Sequence, residues 1–297
     1  MTINEIAKMA GVSSAAVSRY LNNGYLSEDK KEQIRKVIEE TNYQPSLQAQ
    51  MLRTKKTRLI LTLIDSNTDE ECYLLLNEVV KSLSSSGYDM LLSITGESNS
   101  DTVSVARGAD GIVYISTEPN DSTIKMLSGQ KLPVVLCGCE MNGFISVSED
   151  YKTAAEEITS DILSQGKCKI AYIGLVPKNR NRGAKLFEGY KNALVNKGTA
   201  MDAKLIKLCG NSIQAGYDSA KELFSISDGI DAVFCNTDIQ AAGVYKYLAK
   251  NPAKRDVALS GFGSSPISEI CFPPIITRTI DYKKIASDTT ELLLKNL

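Results

Sequence analysis

The chain has 297 residues, of which 43% are hydrophobic, and its 34 basic side chains almost balance 35 acidic ones. This length accommodates a small domain together with one or two larger ones. The sequence contains no histidine, which removes the commonest general base and excludes Ser-His-Asp and Cys-His catalytic arrangements.

The charges are distributed unevenly along the chain. Residues 1–58 contain ten Lys and Arg side chains against six Asp and Glu, a net charge of +4, whereas the remainder carries −5. An excess of positive charge in one short segment is typical of a surface that meets nucleic-acid phosphates.

Cysteine usage and hydropathy both favour a cytoplasmic protein. The seven cysteines form an odd number with one close pair, Cys137 and Cys139, which argues for reduced thiols, and without histidine a zinc site would need four distant thiolates. No stretch approaches the roughly 18 apolar residues of a membrane span, and the N terminus begins a capped helix where a signal peptide needs an apolar core. We therefore expect no metal, no other cofactor and no membrane partner.

Two short helices around a glycine turn are predicted in the N-terminal segment, TINEIAKMAGVSSAAVSRYLN. Thr2 and Glu5 have the spacing of a capping box, and Gly11 suits the end of the first helix. Ser13 can cap the second helix, which carries a short polar face with one arginine, Arg19. Such a pair favours a helix-turn-helix that enters a DNA major groove, and an ordinary helical hairpin is the alternative.

A third helix is predicted between Ser27, which can cap it, and Asn42, which suits its end. Pro45 then biases the backbone before it to an extended form, and residues 46–52 form a short helical stretch. Because an isolated helix of this length is marginal in water, a solvated linker is the alternative for this stretch.

From residue 59 the pattern becomes strand, helix, strand, repeated. Apolar runs typical of strands buried on both faces are found at residues 59–64, 89–94, 111–116, 133–137, 169–174, 203–208, 231–235, 257–261 and 275–280. Helices are predicted over residues 69–85, 122–127, 153–164, 184–196, 216–224, 239–248 and 283–294. This alternation predicts two lobes, each a parallel sheet with helices on both faces, and a doubly wound enzyme is the alternative.

Residues 10–46 read AGVSSAAVSRYLNNGYLSEDKKEQIRKVIEETNYQPS. This segment resembles the headpiece of the LacI/GalR family of bacterial transcription regulators, whose pattern runs approximately A-GVS--TVSR-LN and then VS--T---V--A---L-Y-PN. The likeness, continuous over residues 2–57, implies that Ser14, Ala15 and Arg19 read base edges, with Arg19 at a guanine and Ala15 at a thymine methyl. The other DNA contacts that it implies in this headpiece are those of Thr2, Ser13, Ser18, Asn22 and Tyr25.

The family's hinge pattern, approximately PN--AR-L, corresponds here to PSLQAQML, in which Gln50 replaces the usual arginine. The resemblance implies that a hinge helix packs in the minor groove and drives Leu52 between base pairs as a wedge. The other hinge contacts that it implies are those of Ser46, Ala49 and Gln50.

The segments DGIVYIS, KIAYIG, FEGYKNAL, DAVFCNTDIQAAG and PPIITRTI resemble the family's effector-binding core, which shares its fold with periplasmic sugar-binding proteins. The resemblance implies a cleft between an N-lobe at about 58–145 plus 276–297 and a C-lobe at about 146–275. The effector-binding residues assigned in this way are Asp65, Asp150, Lys185, Asn211, Thr237, Asp238 and Ser264.

The predicted cleft departs from the family pattern. Leu186 occupies the position of the family's ligand-gripping arginine, with Lys185 beside it as a replacement, and Gly263 replaces the Asp of GFDD. Other departures fall where the family has aromatic rings, at Glu71, Cys72 and Asn211. Sugar sites combine bidentate polar contacts with apolar ring faces. Either the effector therefore differs from the family's usual sugars and purines, or the cleft binds weakly through Lys185, Asp150, Ser264 and Ser265.

The sequence thus predicts an N-terminal all-α helix-turn-helix headpiece (1–45), a hinge helix and linker (46–57), and an α/β two-lobed periplasmic-binding-protein-like effector and dimerisation domain (58–297). We expect a sequence-specific DNA-binding repressor of a carbohydrate-utilisation operon. Its partners are a pseudo-palindromic double-stranded DNA operator, a second copy of the chain in a homodimer, and a small-molecule effector, a sugar or sugar derivative, that releases or tunes it. A sugar-binding receptor and an enzyme are the alternatives.

Overall fold

The computed structural model of the protein describes residues 1–22, 24–43, 56–66, 68–95, 108–177, 182–252, 256–263, 265–271 and 274–297. These residues form two compact units, Met1–Arg58 and Leu59–Leu297. Among them, no helix is long and apolar enough to cross a bilayer.

The first unit is all-α and consists of α1 (Ile3–Met9), α2 (Ser14–Leu21) and α3 (Glu28–Thr41). One side chain of each helix is fully buried in a shared core, namely Ile6, Val17 and Ile34. Asn42 ends α3 in a left-handed conformation with φ 47°. Ser27 precedes α3 as predicted, but its side chain makes no capping hydrogen bond.

The N-lobe of the second unit contains one five-stranded sheet. Its strands and the helices between them are β1 (Leu59–Asp65), α4 (Glu70–Ser85), β2 (Asp89–Thr95), β3 (Gly111–Ile115), α5 (Asp121–Ser128), β4 (Val134–Cys137) and β5 (Ile145–Val147). The order across the sheet is β2-β1-β3-β4-β5, and every pairing is parallel. Parallel strands need helical crossovers, and the central strand β3 is buried on both faces.

The C-lobe contains a four-stranded sheet. Its elements are α6 (Tyr151–Ser164), β6 (Ile170–Gly174), α7 (Arg182–Asn196), a 3-10 turn (Ala203–Leu205), β7 (Ile206–Leu208), α8 (Ile213–Ile226), β8 (Ala232–Cys235), α9 (Asp238–Ala249), β9 (Ala258–Ser260) and α10 (Pro266–Ile270). The strand order is β7-β6-β8-β9, again with parallel pairs. A cleft between the lobes lies at the carboxyl ends of such strands, where α/β sheets bind ligands.

The last helix, α11 (Tyr282–Lys295), returns the chain to the first sheet, where it packs against α4 and β4. The prediction of a strand over residues 275–280 is wrong. In this segment only Ile276 pairs with β9, since its amide donates to Leu259 O at 2.9 Å and its carbonyl accepts from Gly261 N at 2.8 Å. The chain is leaving one lobe for the other at this point, so a longer ladder does not form.

The predicted fold class is confirmed: an all-α N-terminal unit precedes two parallel sheets that carry helices. Two details differ from the predicted elements. The strand predicted over 203–208 begins as a 3-10 turn, with Asp202 capping it, and only Ile206–Leu208 pair with β6. The strand β5 and the five-residue helix α10 were not predicted, because three and five residues carry too short a pattern to detect.

Candidate DNA-binding surface and interlobe cleft

The helix-turn-helix geometry follows from local chemistry in the first 22 residues. The predicted capping box is present: Thr2 N donates to Glu5 Oε2 at 2.7 Å, and Glu5 N donates to Thr2 Oγ1 at 3.3 Å. The hydrogen bonds that the Thr2 amide and the Thr2 hydroxyl donate to the carboxylate lower the pKa of Glu5. Gly11 adopts φ +64°, a left-handed conformation that glycine accepts without a Cβ penalty, and it turns the chain towards α2.

The second helix presents a polar face to solvent. Its N-cap, Ser13, accepts a hydrogen bond from Ala16 N at 3.2 Å, while Ala16 and Val17 are buried against the other helices. Ser14, Ala15 and Arg19 are exposed, and Arg19 forms no ion pair with the described residues. This is the exposed face that a recognition helix presents to base edges.

The remaining predicted contacts of the headpiece are also exposed or partly exposed. Thr2 and Ser13 lie at the starts of α1 and α2, Asn22 donates to Ser18 O at the end of α2, and Tyr25 follows in the loop. Tyr25 is 95% exposed, which leaves a large aromatic ring without a packing partner in the described chain. Helix N-termini offer unpaired amides to phosphates, and an exposed tyrosine provides a donor and an apolar face.

The predicted hinge residues lie outside the described residues. They are Ser46, Ala49, Gln50 and Leu52, and their DNA contacts stay predictions. The same holds for Ser264 in the effector domain.

A narrow cleft lies between the two lobes of the second unit, with a cavity volume of about 20 Å³. The residues that line it are Asp69, Glu70, Glu71, Leu74, Arg182, Asn211, Thr237, Asp238, Ile239, Phe262, Gly263 and Ser265. Among the lining residues that the structure describes, four are carboxylates and one is a cation. Polar groups outnumber apolar ones, in contrast to a pocket built mainly from apolar and aromatic side chains.

Arg182, the cation among the described lining residues, crosses the cleft. It is the first residue of α7 in the C-lobe, and its Nη2 donates to Asp69 Oδ2 at 2.6 Å while its Nη1 donates to Glu71 Oε2 at 2.6 Å, both at the start of α4 in the N-lobe. Its side chain is only 3% exposed. The Tyr151 hydroxyl donates to the other oxygen of Glu71 at 2.7 Å. Charge-assisted hydrogen bonds of this kind are among the stronger ones in proteins.

The two carboxylates that share Arg182 titrate differently. Burial raises the pKa of Asp69, but the guanidinium of Arg182 and the hydrogen bond from Cys72 N together outweigh burial, and the net pKa is below the ordinary value. Burial raises the pKa of the fully enclosed Glu71, and Arg182 offsets this only in part, so the net pKa is above the ordinary value. Burial opposes the charge on Arg182, yet the two carboxylates hold its pKa well above the usual range. The environment of the one cation thus favours the charged form of Asp69 but not that of Glu71.

Asp65, assigned to the effector, is surrounded by hydroxyl groups of its own lobe. Its Oδ1 accepts from Thr95 at 2.7 Å and from Thr123 at 3.2 Å, and its Oδ2 accepts from Tyr114 and from Ser116 at 3.5 Å. Burial and the bond to Asp65 raise the pKa of Tyr114. The structure therefore places Asp65 as the hub that joins β1, β2 and β3 at their carboxyl ends, outside the lining of the cleft.

Asp150 and Lys185 also lie outside the lining. Asp150 is the N-cap of α6 and accepts from Thr153 N at 3.1 Å, and this contact and the one with the Thr153 hydroxyl lower its pKa. Lys185 donates to Glu140 Oε2 at 2.7 Å, which holds the pKa of Glu140 below the ordinary value. Leu186, at the position of the family's arginine, is fully buried in the core.

Three predicted effector residues do come together on the C-lobe wall of the cleft. The Thr237 hydroxyl donates to Asn211 Oδ1 at 2.7 Å and accepts from Gln240 N at 3.1 Å. Asp238 Oδ2 accepts from Ser265 N at 2.7 Å and from the Thr277 hydroxyl at 3.2 Å. Burial raises the pKa of Asp238 above the ordinary value. These bonds fix the wall at the start of α9.

Arg182 was not predicted from the sequence as a cleft residue. One signal points to it: Arg182 lies four residues before Leu186, and residues four apart occupy the same face of a helix. The guanidinium in this chain therefore lies one turn earlier on the helix that supplies the family's arginine.

Comparisons with known proteins decide the family. Residues 57–262 match the family model of periplasmic binding proteins and the sugar binding domain of the LacI family, and residues 2–46 match that of bacterial regulatory proteins of the lacI family. The first match alone covers more than half of the chain. The chain belongs to the LacI family. It is a DNA-binding transcription regulator rather than an enzyme, as predicted.

Named relatives and solved structures are similar over almost the whole chain. The HTH-type transcriptional regulator RegA of Clostridium saccharobutylicum is 26% identical over 310 residues, which cover 100% of this chain and 92% of RegA. The sucrose operon repressor of Staphylococcus xylosus is 28% identical, with 94% and 88% of the two chains covered. The crystal structure of the lac repressor dimer bound to operator and the anti-inducer ONPF has a TM-score of 0.80 at 17% identity and covers 99% of this chain and 92% of that one.

Proposed function

We propose that this LacI-family regulator is a homodimeric repressor of a carbohydrate-utilisation operon in the bacterial cytoplasm, tuned by a small molecule bound between its lobes. The similar repressor from S. xylosus controls a sucrose operon, and the matched domain is described as sugar binding. The observation that carries the proposal is the helix-turn-helix with the exposed face of Ser14, Ala15 and Arg19, joined in one chain to a two-lobed domain with a polar cleft.

The α2 face supplies the specificity in this proposal. Arg19 donates two hydrogen bonds to a guanine edge, whereas the small Ala15 methyl contacts a thymine methyl. Thr2, Ser13, Ser18 and Asn22 contact phosphates or bases, and the loop with Tyr25 holds the sugar–phosphate backbone. The net charge of +4 over residues 1–58 adds a salt-dependent attraction that is independent of sequence.

The hinge supplies a second, minor-groove contact. Its support is the sequence resemblance of PSLQAQML, with Leu52 as the wedge between base pairs and Ser46, Ala49 and Gln50 beside it. Gln50 carries no charge where the family has arginine, so this hinge binds phosphates less strongly. Unstacking a base step costs a few kcal/mol, which added contacts on the bent duplex offset.

A homodimer is supported by an exposed apolar patch on the N-lobe, formed by Tyr73 and Val80 of α4 and Leu92 and Ile94 of β2. Their exposed fractions are 55%, 43%, 44% and 63%. The strand β2 is at the edge of its sheet. Met90, on the same face of β2 as Leu92 and Ile94, packs against the core that includes residues of α4. A two-fold symmetric dimer would bind a pseudo-palindrome through its two α2 helices, one on each half-site.

The cleft is the proposed effector site. Its C-lobe wall carries Asn211, Thr237 and Asp238, and its N-lobe wall carries the acidic start of α4. The buried Nε of Arg182 has no hydrogen-bond partner among the described residues, and an acceptor oxygen of a small molecule would satisfy it. Asp65, Asp150 and Lys185 act around this site in the proposal, by shaping the strand ends and the start of α7, and Ser264 adjoins the wall in sequence.

Selection from random duplexes tests the DNA half of the proposal. The purified full-length chain is expected to enrich a pseudo-palindrome with two equal half-sites. A panel of sugars, sugar phosphates and nucleobases tests the other half by thermal shift, since a ligand at 100 times its Kd stabilises the folded state by roughly 2.7 kcal/mol. Enrichment of no sequence would overturn the repressor, and a panel without any shift would overturn the carbohydrate effector.

A further inference from the structure

The start of α7 connects the lobes through its side chains. We call Arg182, Asp69 and Glu71 the clasp: the guanidinium of the C-lobe makes two hydrogen bonds of 2.6 Å with carboxylates of the N-lobe. All three side chains are at least 85% buried. One turn along, Lys185 makes a further link to Glu140, which follows β4 in the N-lobe.

The backbone of the same turn also crosses the cleft. Arg182 N donates to Thr117 O at 3.4 Å, and Gly183 N donates to Glu118 Oε1 at 3.3 Å, both just after β3 of the N-lobe. The first amides of a helix have no acceptor within the helix. In this chain the acceptors for two of them belong to the opposite lobe, so these bonds exist only while the cleft is closed.

These contacts join both walls of the cleft, as the contacts of a bound ligand do. A two-lobed domain closes when some group makes better contacts with the closed form than with the open form. That group is usually a bound molecule, but here Arg182 and the amides beside it belong to the chain. A buried ion pair is favourable only when its geometry and hydrogen bonds are good. The clasp has two bonds of 2.6 Å, and the Tyr151 hydroxyl donates to the other oxygen of Glu71, whereas Arg182 Nε has no partner among the described residues.

We propose that the clasp closes the cleft without an effector, with Arg182 acting as a built-in substitute for the ligand. The proposal rests on the proposed function only in taking the cleft as the effector site. An effector then binds to a domain that is already closed, and Arg182 determines how far the conformation of the domain changes on binding. A chain without the guanidinium at this position opens, because water then hydrates the two carboxylates.

Hydrogen exchange at single amides tests the proposal directly. The full-length protein is unfolded in urea and refolded so that no small molecule is carried over, and exchange of the Arg182 and Gly183 amides is measured. Since their acceptors are in the opposite lobe, closure protects them and opening does not. We expect protection in the refolded wild type. Exchange of both amides at the rate of an unstructured peptide would overturn the proposal.

Variants separate the clasp from general stability. In Arg182→Gln, exchange at Gly183 is expected to accelerate roughly tenfold or more, whereas Tyr190 in the interior of α7 keeps its protection. The matched control is Lys152→Gln, which removes one cation of an exposed pair with Glu188 within the C-lobe. It is expected to leave Gly183 unchanged. Equal protection of Gly183 in Arg182→Gln and wild type would overturn the clasp.

If Arg182→Gln does not fold, which a loss of protection at the Tyr190 amide would show, a second variant tests the proposal. Arg182→Lys keeps the charge but cannot donate to both carboxylates at once in a fork. Faster exchange at Gly183 with a protected Tyr190 supports the clasp, and wild-type exchange overturns it. Neither DNA nor sugar enters these measurements. A failure to select an operator therefore leaves the result on closure intact, and the reverse holds as well.

Discussion

The Tyr151 hydroxyl donates to Glu71 Oε1 at 2.7 Å, so the first residue of α6 in the C-lobe contacts the second residue of α4 in the N-lobe. The other oxygen of Glu71 accepts from Arg182 at 2.6 Å. Both contacts cross the cleft, and burial raises the pKa of Glu71 above its ordinary value. Titration of this one carboxyl therefore reports on how the lobes meet.

Glu71→Gln is expected to change how stability depends on pH. Because the pKa of Glu71 is raised in the folded state, the folded chain binds this proton at a higher pH than the unfolded chain does. Stability from this group therefore grows as the pH falls from 7 through the folded pKa towards the ordinary value of 4.5. Asp69 does not contribute there, since its lowered pKa lies below that window. Urea unfolding at pH 7, 6 and 5 checks this.

The wild type should gain stability relative to Glu71→Gln as the pH is lowered through this range. Glu78→Gln is the control, because it removes a carboxylate from the same helix at a partly exposed pair with Lys81. A constant difference between wild type and Glu71→Gln across the range would mean that Glu71 is not enclosed between the lobes.

Arg19→Ala is expected to weaken operator binding by about 1–3 kcal/mol and to relax specificity at one base pair, because a bidentate contact with a guanine is lost. Arg35→Ala removes the same charge from the exposed side of α3, where Arg35 pairs with Glu32. It should reduce specific and non-specific affinity alike. Fluorescence anisotropy measures the affinity of both variants for the selected operator and for its single-base variants. Equal losses of specific affinity in the two variants would argue against a base contact by Arg19.

A charge in the N-lobe patch should dissociate the dimer. Ile94→Asp places a carboxylate on the exposed edge strand, where the proposed interface excludes water, and stable interfaces bury roughly 1,200–2,000 Å² in total. Val195→Asp is the control, since Val195 is 75% exposed at the end of α7 in the C-lobe. Sedimentation equilibrium is expected to show a monomer for the first variant and a dimer for the second. If both variants are dimers, the interface lies elsewhere.

Gly189→Ala tests the packing of α6 on α7. A Cβ at Gly189 would lie 2.1 Å from Lys152 O and 2.8 Å from Ala155 Cβ, so the helices must move apart. We expect a loss of about 1–3 kcal/mol or more in the free energy of unfolding. At Gly210 a Cβ meets nothing within 4 Å, and Gly210→Ala should have little effect. Urea denaturation compares them, and a neutral Gly189→Ala would contradict the close crossing of the two helices.

Local patterns were enough to predict most elements of this fold. The capping box of Thr2 and Glu5, the turn at Gly11 and the buried run of β3 each depend on neighbouring residues, and the structure has them as predicted. The errors fall where long-range contacts determine the structure. Residues 275–280 have the composition of a strand, yet they form a connection between lobes with one paired residue, Ile276.

The cleft was less predictable than the headpiece, because the ion pairs of Arg182 across it join residues more than a hundred positions apart. Nothing near Arg182 in the sequence shows that Asp69 and Glu71 lie opposite to it. The family pattern directed attention to Leu186, which is buried in the core. The available signal was the four-residue spacing between Arg182 and Leu186, which puts both on one face of α7. This spacing becomes informative only once the carboxylates of α4 are known to face Arg182.

The most direct test compares the affinity of the purified full-length chain for its selected operator with that for a scrambled duplex, at one physiological salt concentration. Specific regulators bind their sites roughly 10³–10⁷ times more tightly than other DNA. We predict a ratio of this order for the wild type and a markedly smaller one for Arg19→Ala. A wild-type ratio close to one would show that the headpiece does not read DNA sequence and would contradict the account.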